Sequence, residues 1–194
     1  MRLGERFRRW RASMGYGVHS PLAYRIVQYA IRPSRGVLYY GEEELEGIAA
    51  DSKRQITKSR LKRARLLLRL VAELQPSYVW ISPGLPDIYL EAIRLAGCVV
   101  RIFDGDVFPD EISKADMIVA VPKVRKGRQL ALPERIYSLN ATQTRSLVVF
   151  DATPSLIQKL RGKITGGVLL DCISTVIAVS TTDPALHTYQ LSNI

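Results

Sequence analysis

Apolar residues recur with two different periods along this chain, and the switches between them mark its elements. Tyr78–Ser82 is β-branched and aromatic, Pro83-Gly84 is a turn dipeptide, and behind Pro86 the residues Ile88, Leu90, Ala92, Ile93 and Leu95 recur at helical spacing. Gly97 closes that helix and Cys98–Phe103 is a second apolar run, so Tyr78 to Asp104 predicts strand, turn, helix and strand. Two strands joined by a helix of this length run parallel. Such a βαβ unit brings its first turn, and the acid that ends its second strand, to the carboxyl edge of a sheet, where α/β folds bind ligands.

The same periods extend in both directions. Ser20 suits an N-cap and Pro21 the first helical position, ahead of Leu22, Ile26, Val27, Ala30 and Ile31 on one face and a stop before Pro33. Gly36–Gly41 reads as a connection, and Glu42–Glu46 as the start of a short helix whose carboxylates suit the helix dipole. In Lys53–Leu74, the residues Leu61, Ala64, Leu67, Leu68, Val71 and Leu74 mark one apolar helical face, and Pro76 stops the run. After Asp104-Gly105-Asp106 the interval to Asp116 is too short for a full helix and another strand. Asp116–Val121 then predicts a third strand and Pro122–Arg128 a basic loop, with a short helix at Pro133–Leu139. Ser146–Phe150 predicts a fourth strand ending at Asp151. Thr153-Pro154 opens a helix that should end at Gly162. Thr175–Ser180 and His187–Leu191, joined by Thr182-Asp183-Pro184, read as an antiparallel hairpin.

Length and charge add to this picture. A chain of 194 residues builds one buried core with an appendage. The division expected is an N-terminal basic arm and helices over 1–52, packed on an α/β domain over 53–194. The formal net charge of +10 predicts attraction to polyanions such as RNA, DNA or an anionic lipid surface. That charge is clustered. Arg6, Arg8, Arg9 and Arg11 alternate with Phe7, Trp10 and Tyr16, and Lys58, Lys62, Arg63, Arg65 and Arg69 lie on the polar side of the long helix. The arm is read first as aromatics packed on the domain beneath solvated arginines, with nucleic-acid or acidic-membrane contact as the alternatives. The helix stripe is the better polyanion surface, against a solvated helix face. Cys98 and Cys172 lie in apolar runs, which predicts buried thiols, and with His19 and His187 set far apart they assemble no metal cluster. No run reaches the roughly eighteen apolar residues of a membrane span, and the N-terminal arginines interrupt any signal core; the location expected is cytoplasmic.

Parallel strands alternating with helices, then a terminal antiparallel hairpin, resemble the outline of the class I S-adenosylmethionine-dependent methyltransferases. The opening YGVHSPLAYRIV is similar to the HSP-containing start of a group of small bacterial methyltransferase-like proteins common in Bacteroidetes. SPGLPDIYLEAI, VVFDATPSLIQKL and the close GGVLLDCISTVIAVS with HTYQL follow in the order of that group. The resemblance implies a Rossmann-like sheet, mostly parallel with a C-terminal antiparallel hairpin, and an N-terminal helical extension; the interval that in the family carries a helix and the third strand is shortened here. It implies S-adenosylmethionine as cofactor, with Ser82 and Gly84 in the turn that approaches its methionine part, Asp104 on its ribose and Asp151 near the acceptor. The reading of the residues alone leaves Asp104 and Asp151 equally open to plain loop capping.

This sequence departs from the group's pattern at several points. One glycine stands in the turn where two or three are usual, and Pro83 and Pro86 stiffen it. Val121-Pro122-Lys123 occupies the place of an aspartate followed by a histidine, and Ala152 follows Asp151 where the group has a second acid. These departures imply a methyltransferase-like protein with weakened or lost activity. The alternative is a non-catalytic module of the same fold that binds RNA or another polyanion. Oligomeric state and methyl acceptor are not encoded in any of these motifs.

Overall fold

The computed structural model describes residues 3–33, 39–52, 56–82, 85–102, 116–121, 124–125, 128–129, 146–164, 166–180 and 185–192. The expected helix over Pro133–Leu139, the Pro83-Gly84 turn, Asp104, the short interval after it and the Thr182–Pro184 turn lie outside the described residues. Helix α1 spans Leu3–Ser13. Helix α2 spans Pro21–Arg25 and continues as π-helix over Ile26–Ile31. Helix α3 spans Glu42–Asp51 and α4 spans Lys58–Leu74. Strand β1 (Tyr78–Ile81), helix α5 (Asp87–Leu95) and strand β2 (Val99–Ile102) form the βαβ unit. Strand β3 (Met117–Ala120) and the two-residue strands β4 (Val124–Arg125) and β5 (Arg128–Gln129) follow. The chain continues with β6 (Ser146–Phe150), α6 (Pro154–Lys163), β7 (Gly167–Asp171), β8 (Thr175–Val179) and β9 (Leu186–Gln190).

Seven strands form one mixed sheet in the order β2-β1-β3-β6-β8-β7-β9. The β1·β2, β1·β3, β3·β6 and β7·β9 ladders are parallel, whereas β8 runs antiparallel to both neighbours, β6 and β7. Because β7 is antiparallel to β8, it points the same way as β6 and β1. The expected hairpin is therefore corrected in its partners: β8 turns back from β7 through Cys172-Ile173-Ser174, and β9 pairs with the far side of β7 in parallel. Gly167–Asp171 was missed as a strand because its apolar run merges with the next one, and continuous apolar runs carry no period of their own.

Helices pack on both faces of the sheet, and the period-2 alternation of the strands sorts their side chains between two cores. Val79, Ile81, Met117, Val119, Val148, Phe150, Val168, Leu170 and Ile177 face the larger one, together with Ile26, Val27, Leu67, Leu68, Val71, Ile88 and Ile93 from the π-helix, α4 and α5. Trp80, Ile118, Ala120, Leu147, Val149, Leu169, Val176 and Ala178 face the other, closed by Leu156, Ile157 and Leu160 of α6. A run such as Ser146–Phe150 is apolar almost throughout because both of its faces are covered.

Caps fix the helix starts. Ser20 accepts from the Ala23 N–H, Thr57 from that of Arg60 and Thr153 from that of Leu156, each one turn ahead of an apolar face. The long helix thus starts at Lys58, later than its apolar period predicted. At its far end Gln75 takes the left-handed conformation, φ 46°, and the chain turns directly into β1. Helix α4 consequently runs against the strand direction, with its N-terminal half at the carboxyl edge of the sheet. Pro122–Arg128, read as a basic loop, contains β4, and β4 pairs antiparallel with β5.

Candidate functional site

The carboxyl ends of β1, β3 and β6 lie side by side. Ser82, one residue past β1, is buried, donates its backbone N–H to the Val119 carbonyl at 2.9 Å and accepts the Val121 N–H on its hydroxyl at 3.0 Å. The hydroxyl expected to line a cofactor turn therefore sews the end of β1 to the end of β3. Asp151, one residue past β6, takes the left-handed conformation with φ 53°, a backbone that aspartate tolerates better than most side chains. It is half-exposed and accepts the Arg63 guanidinium at 2.7 Å.

Arg63 is the centre of this cluster. Its guanidinium lies 5.6 Å from the Phe150 ring centroid, while the Tyr89 and Phe150 rings meet at 5.1 Å. Burial opposes the Arg63 charge, yet the Asp151 carboxylate beside it outweighs that cost and raises the pKa above its ordinary value. Burial also raises the pKa of Tyr89, partly offset by the Arg63 charge, so its phenol stays protonated. Arg63 was expected to face a polyanion, and the structure joins it to Asp151. Tyr89 carried no sequence signal beyond a place on the inner face of α5.

The remaining expected basic residues divide by exposure. Lys58 and Lys62 are exposed on the first two turns of α4, together with Arg60, and no acidic residue accompanies them in the first turn. Arg65 pairs with Glu46 of α3, and Arg69 holds Glu42 through two contacts at 2.6 and 3.0 Å. On α1, Arg6, Arg8 and Arg11 are exposed, but Arg9 is buried. Its guanidinium donates to the Leu191 carbonyl at 3.0 Å and to the Asp171 carbonyl at 3.4 Å, and lies 3.5 Å from Asp171 Oδ2. Arg161 reaches the same carboxylate oxygen at 3.0 Å, and the Ile173 N–H donates to the other oxygen at 3.0 Å.

The aromatics of the N-terminal arm depart from the expected arrangement. Phe7, Trp10 and Tyr16 stand 58, 50 and 62% exposed, while an arginine between them is the residue that packs inward. Gly84 and Asp104 fall outside the described residues. Of the expected cofactor contacts the structure describes two, Ser82 and Asp151, and both are engaged by the chain's own groups. Ser82 and Asp151 thus commit within the chain hydrogen-bonding capacity that a polar ligand at this edge would draw on. Among the described residues no group of three or more histidine, cysteine or acidic side chains is placed to hold a metal ion, and no helix is long and apolar enough to cross a membrane. Comparison with protein-family models and with curated proteins gave no match to this chain.

Proposed function

We propose that this chain is a class I S-adenosylmethionine-dependent methyltransferase-like protein in which cofactor binding, and with it methyl transfer, is weakened. The observation that carries the reading is the arrangement of the sheet edge: parallel strands alternating with helices, an antiparallel hairpin near the end, and Ser82 and Asp151 at carboxyl ends on either side of β3. The weakening follows from the ties on those two residues. A carboxylate already neutralised by Arg63, and a hydroxyl already accepting an N–H, have less to offer a polar ligand than free groups do. Calorimetry of the folded chain with S-adenosylmethionine and S-adenosylhomocysteine tests this, and saturable heat only at millimolar ligand is expected. No heat at that concentration sinks the cofactor reading, and micromolar affinity overturns the weakening.

A second reading, a module that binds RNA or another polyanion, is favoured by one observation of its own. The first turns of α4 carry exposed Lys58, Arg60 and Lys62 at the positive end of the helix dipole, where anions are favoured and like charges are not. This reading predicts RNA affinity that falls steeply between 50 and 200 mM salt, on the order of the counterion-release slope, and that drops in the Lys58→Glu, Lys62→Glu double variant. Salt-independent or absent binding removes it.

A further inference from the structure

Helix α1 and the turn that continues it expose Leu3, Phe7, Trp10 and Met14, which are spaced at three and four residues and so share one face. At about 100° per residue, Arg6 and Arg11 fall roughly 70° to either side of that stripe, Ser13 lies roughly 90° from it, and Arg9 roughly 130°. The buried side is fixed to the body. Arg9 is bound at Asp171 and Leu191, and Ser13 lies 2.8 Å from the Ser192 hydroxyl and accepts the Ser192 N–H at 2.7 Å. The apolar stripe is therefore held outward by a docked helix.

A second element reaches the same face. Ile173 takes φ 69°, a conformation that β-branched residues rarely adopt, and is 38% exposed. With Leu3, Phe7 and Trp10 it lines a shallow hollow of about 710 Å³. Strain of this kind, spent on exposing an apolar side chain, calls for a function.

We propose that α1 and Ile173 form a docking face for an anionic lipid surface. An apolar stripe with arginines along both margins suits the boundary between acyl chains and acidic headgroups, and Trp10 is a side chain of the type that settles at that boundary. Charge selects this occupant over a second copy of the chain. Two stripes packed face to face would bring Arg6 and Arg11 against their own counterparts, on a chain already carrying +10. Phe7 and Trp10 stack on one another, ring centroids 5.8 Å apart, between the aliphatic Leu3 and Met14, a continuous apolar stripe rather than a row of separate base platforms.

The test uses the whole chain and vesicles of phosphatidylcholine with or without phosphatidylglycerol. Trp10 and Trp80 are the two tryptophans, and Trp80 is buried, so a Trp80→Phe variant makes Trp10 the reporter. Expected are flotation with the anionic vesicles, weakened by salt, a blue shift of Trp10 emission, and its quenching by brominated acyl chains. The exposed-site variant Phe7→Ser, Trp10→Ser should keep its circular dichroism and lose at least tenfold in partitioning, and Ile173→Gly should lose several-fold. Absent flotation, equal flotation with neutral vesicles, or unchanged partitioning of the double variant overturns the proposal. So does a sedimentation mass of a dimer that the double variant converts to monomer, or RNA binding lost in that variant without any lipid binding in the parent.

Discussion

Arg63 of α4 and Asp151 after β6 meet at 2.7 Å above the Phe150 ring, so the helix that precedes the first strand is pinned to the end of a strand near the middle of the sheet. The pair holds Asp151 in its left-handed conformation at the edge where a ligand is expected. Asp151→Asn keeps both an acceptor for Arg63 and a side chain tolerant of that backbone, and should leave urea stability nearly unchanged. Asp151→Ala loses both and should cost about 1 kcal/mol, on the order of the left-handed penalty.

Arg9 should matter more than any exposed arginine of α1. Its removal leaves the Leu191 carbonyl and part of the Asp171 carboxylate without their buried partner. Arg9→Ala is expected to cost about 3 kcal/mol, near the lower limit for breaking a buried pair, because Arg161 still reaches Asp171. Arg161→Ala, truncating a more exposed side chain, should cost less than half as much. Denaturant unfolding of the two variants beside Arg8→Ala checks the order.

Much of this organisation was legible in the sequence. The βαβ unit, the caps at Ser20 and Thr153, and the strand ending at Asp151 all follow from local signals, in which a residue's own spacing and cap chemistry decide. What escaped depends on partners distant along the chain. Nothing near Arg9 announces Asp171 or Leu191, so an arginine among arginines reads as solvated. The order of β7, β8 and β9 is likewise set by pairing across the sheet, and a short connection favours a hairpin reading without enforcing it. At the candidate edge, sequence could place Ser82 and Asp151 at strand ends. It had no means of placing the Arg63 and Val121 N–H groups that hold them.

Two glycines should respond in opposite directions to alanine. Gly15 has φ 88°, and a Cβ there would stand 2.6 Å from Gln28 Nε2 and 2.8 Å from a Tyr24 ring carbon. Gly15→Ala should destabilise by about 1–2 kcal/mol and disturb the Gln28 bond to the Met14 carbonyl that closes the turn after α1. Gly47 sits exposed inside α3 with open space at its Cβ position, so Gly47→Ala should stabilise by about 0.5–1 kcal/mol. Thermal melts of the two variants test the contrast.

The chain should lose stability in alkali. Burial raises the Cys172 thiol well above its ordinary 9.0 and raises Tyr39, bonded to Glu73, and Tyr89 above 10.0. These groups stay protonated in the folded state while the unfolded chain ionises, so their contribution is complete below about pH 9 and is lost as pH rises towards the raised values. Urea midpoints should fall steadily above pH 9. Burial also raises Cys98, whose thiol donates to the Pro76 carbonyl. Iodoacetamide at neutral pH should therefore label Cys98 slowly and Cys172 only after unfolding, as read by mass spectrometry.

The contact of Arg9 with Leu191 also sets an order of events during synthesis. Helix α1 leaves the ribosome well before its partner does, because the carbonyl that receives Arg9 belongs to a residue 182 positions further along the chain. Until then α1 has its apolar stripe and its arginines but no dock. The newborn helix is free to meet a surface before the domain that will carry it exists, and final closure of the fold waits on a contact spanning most of the chain.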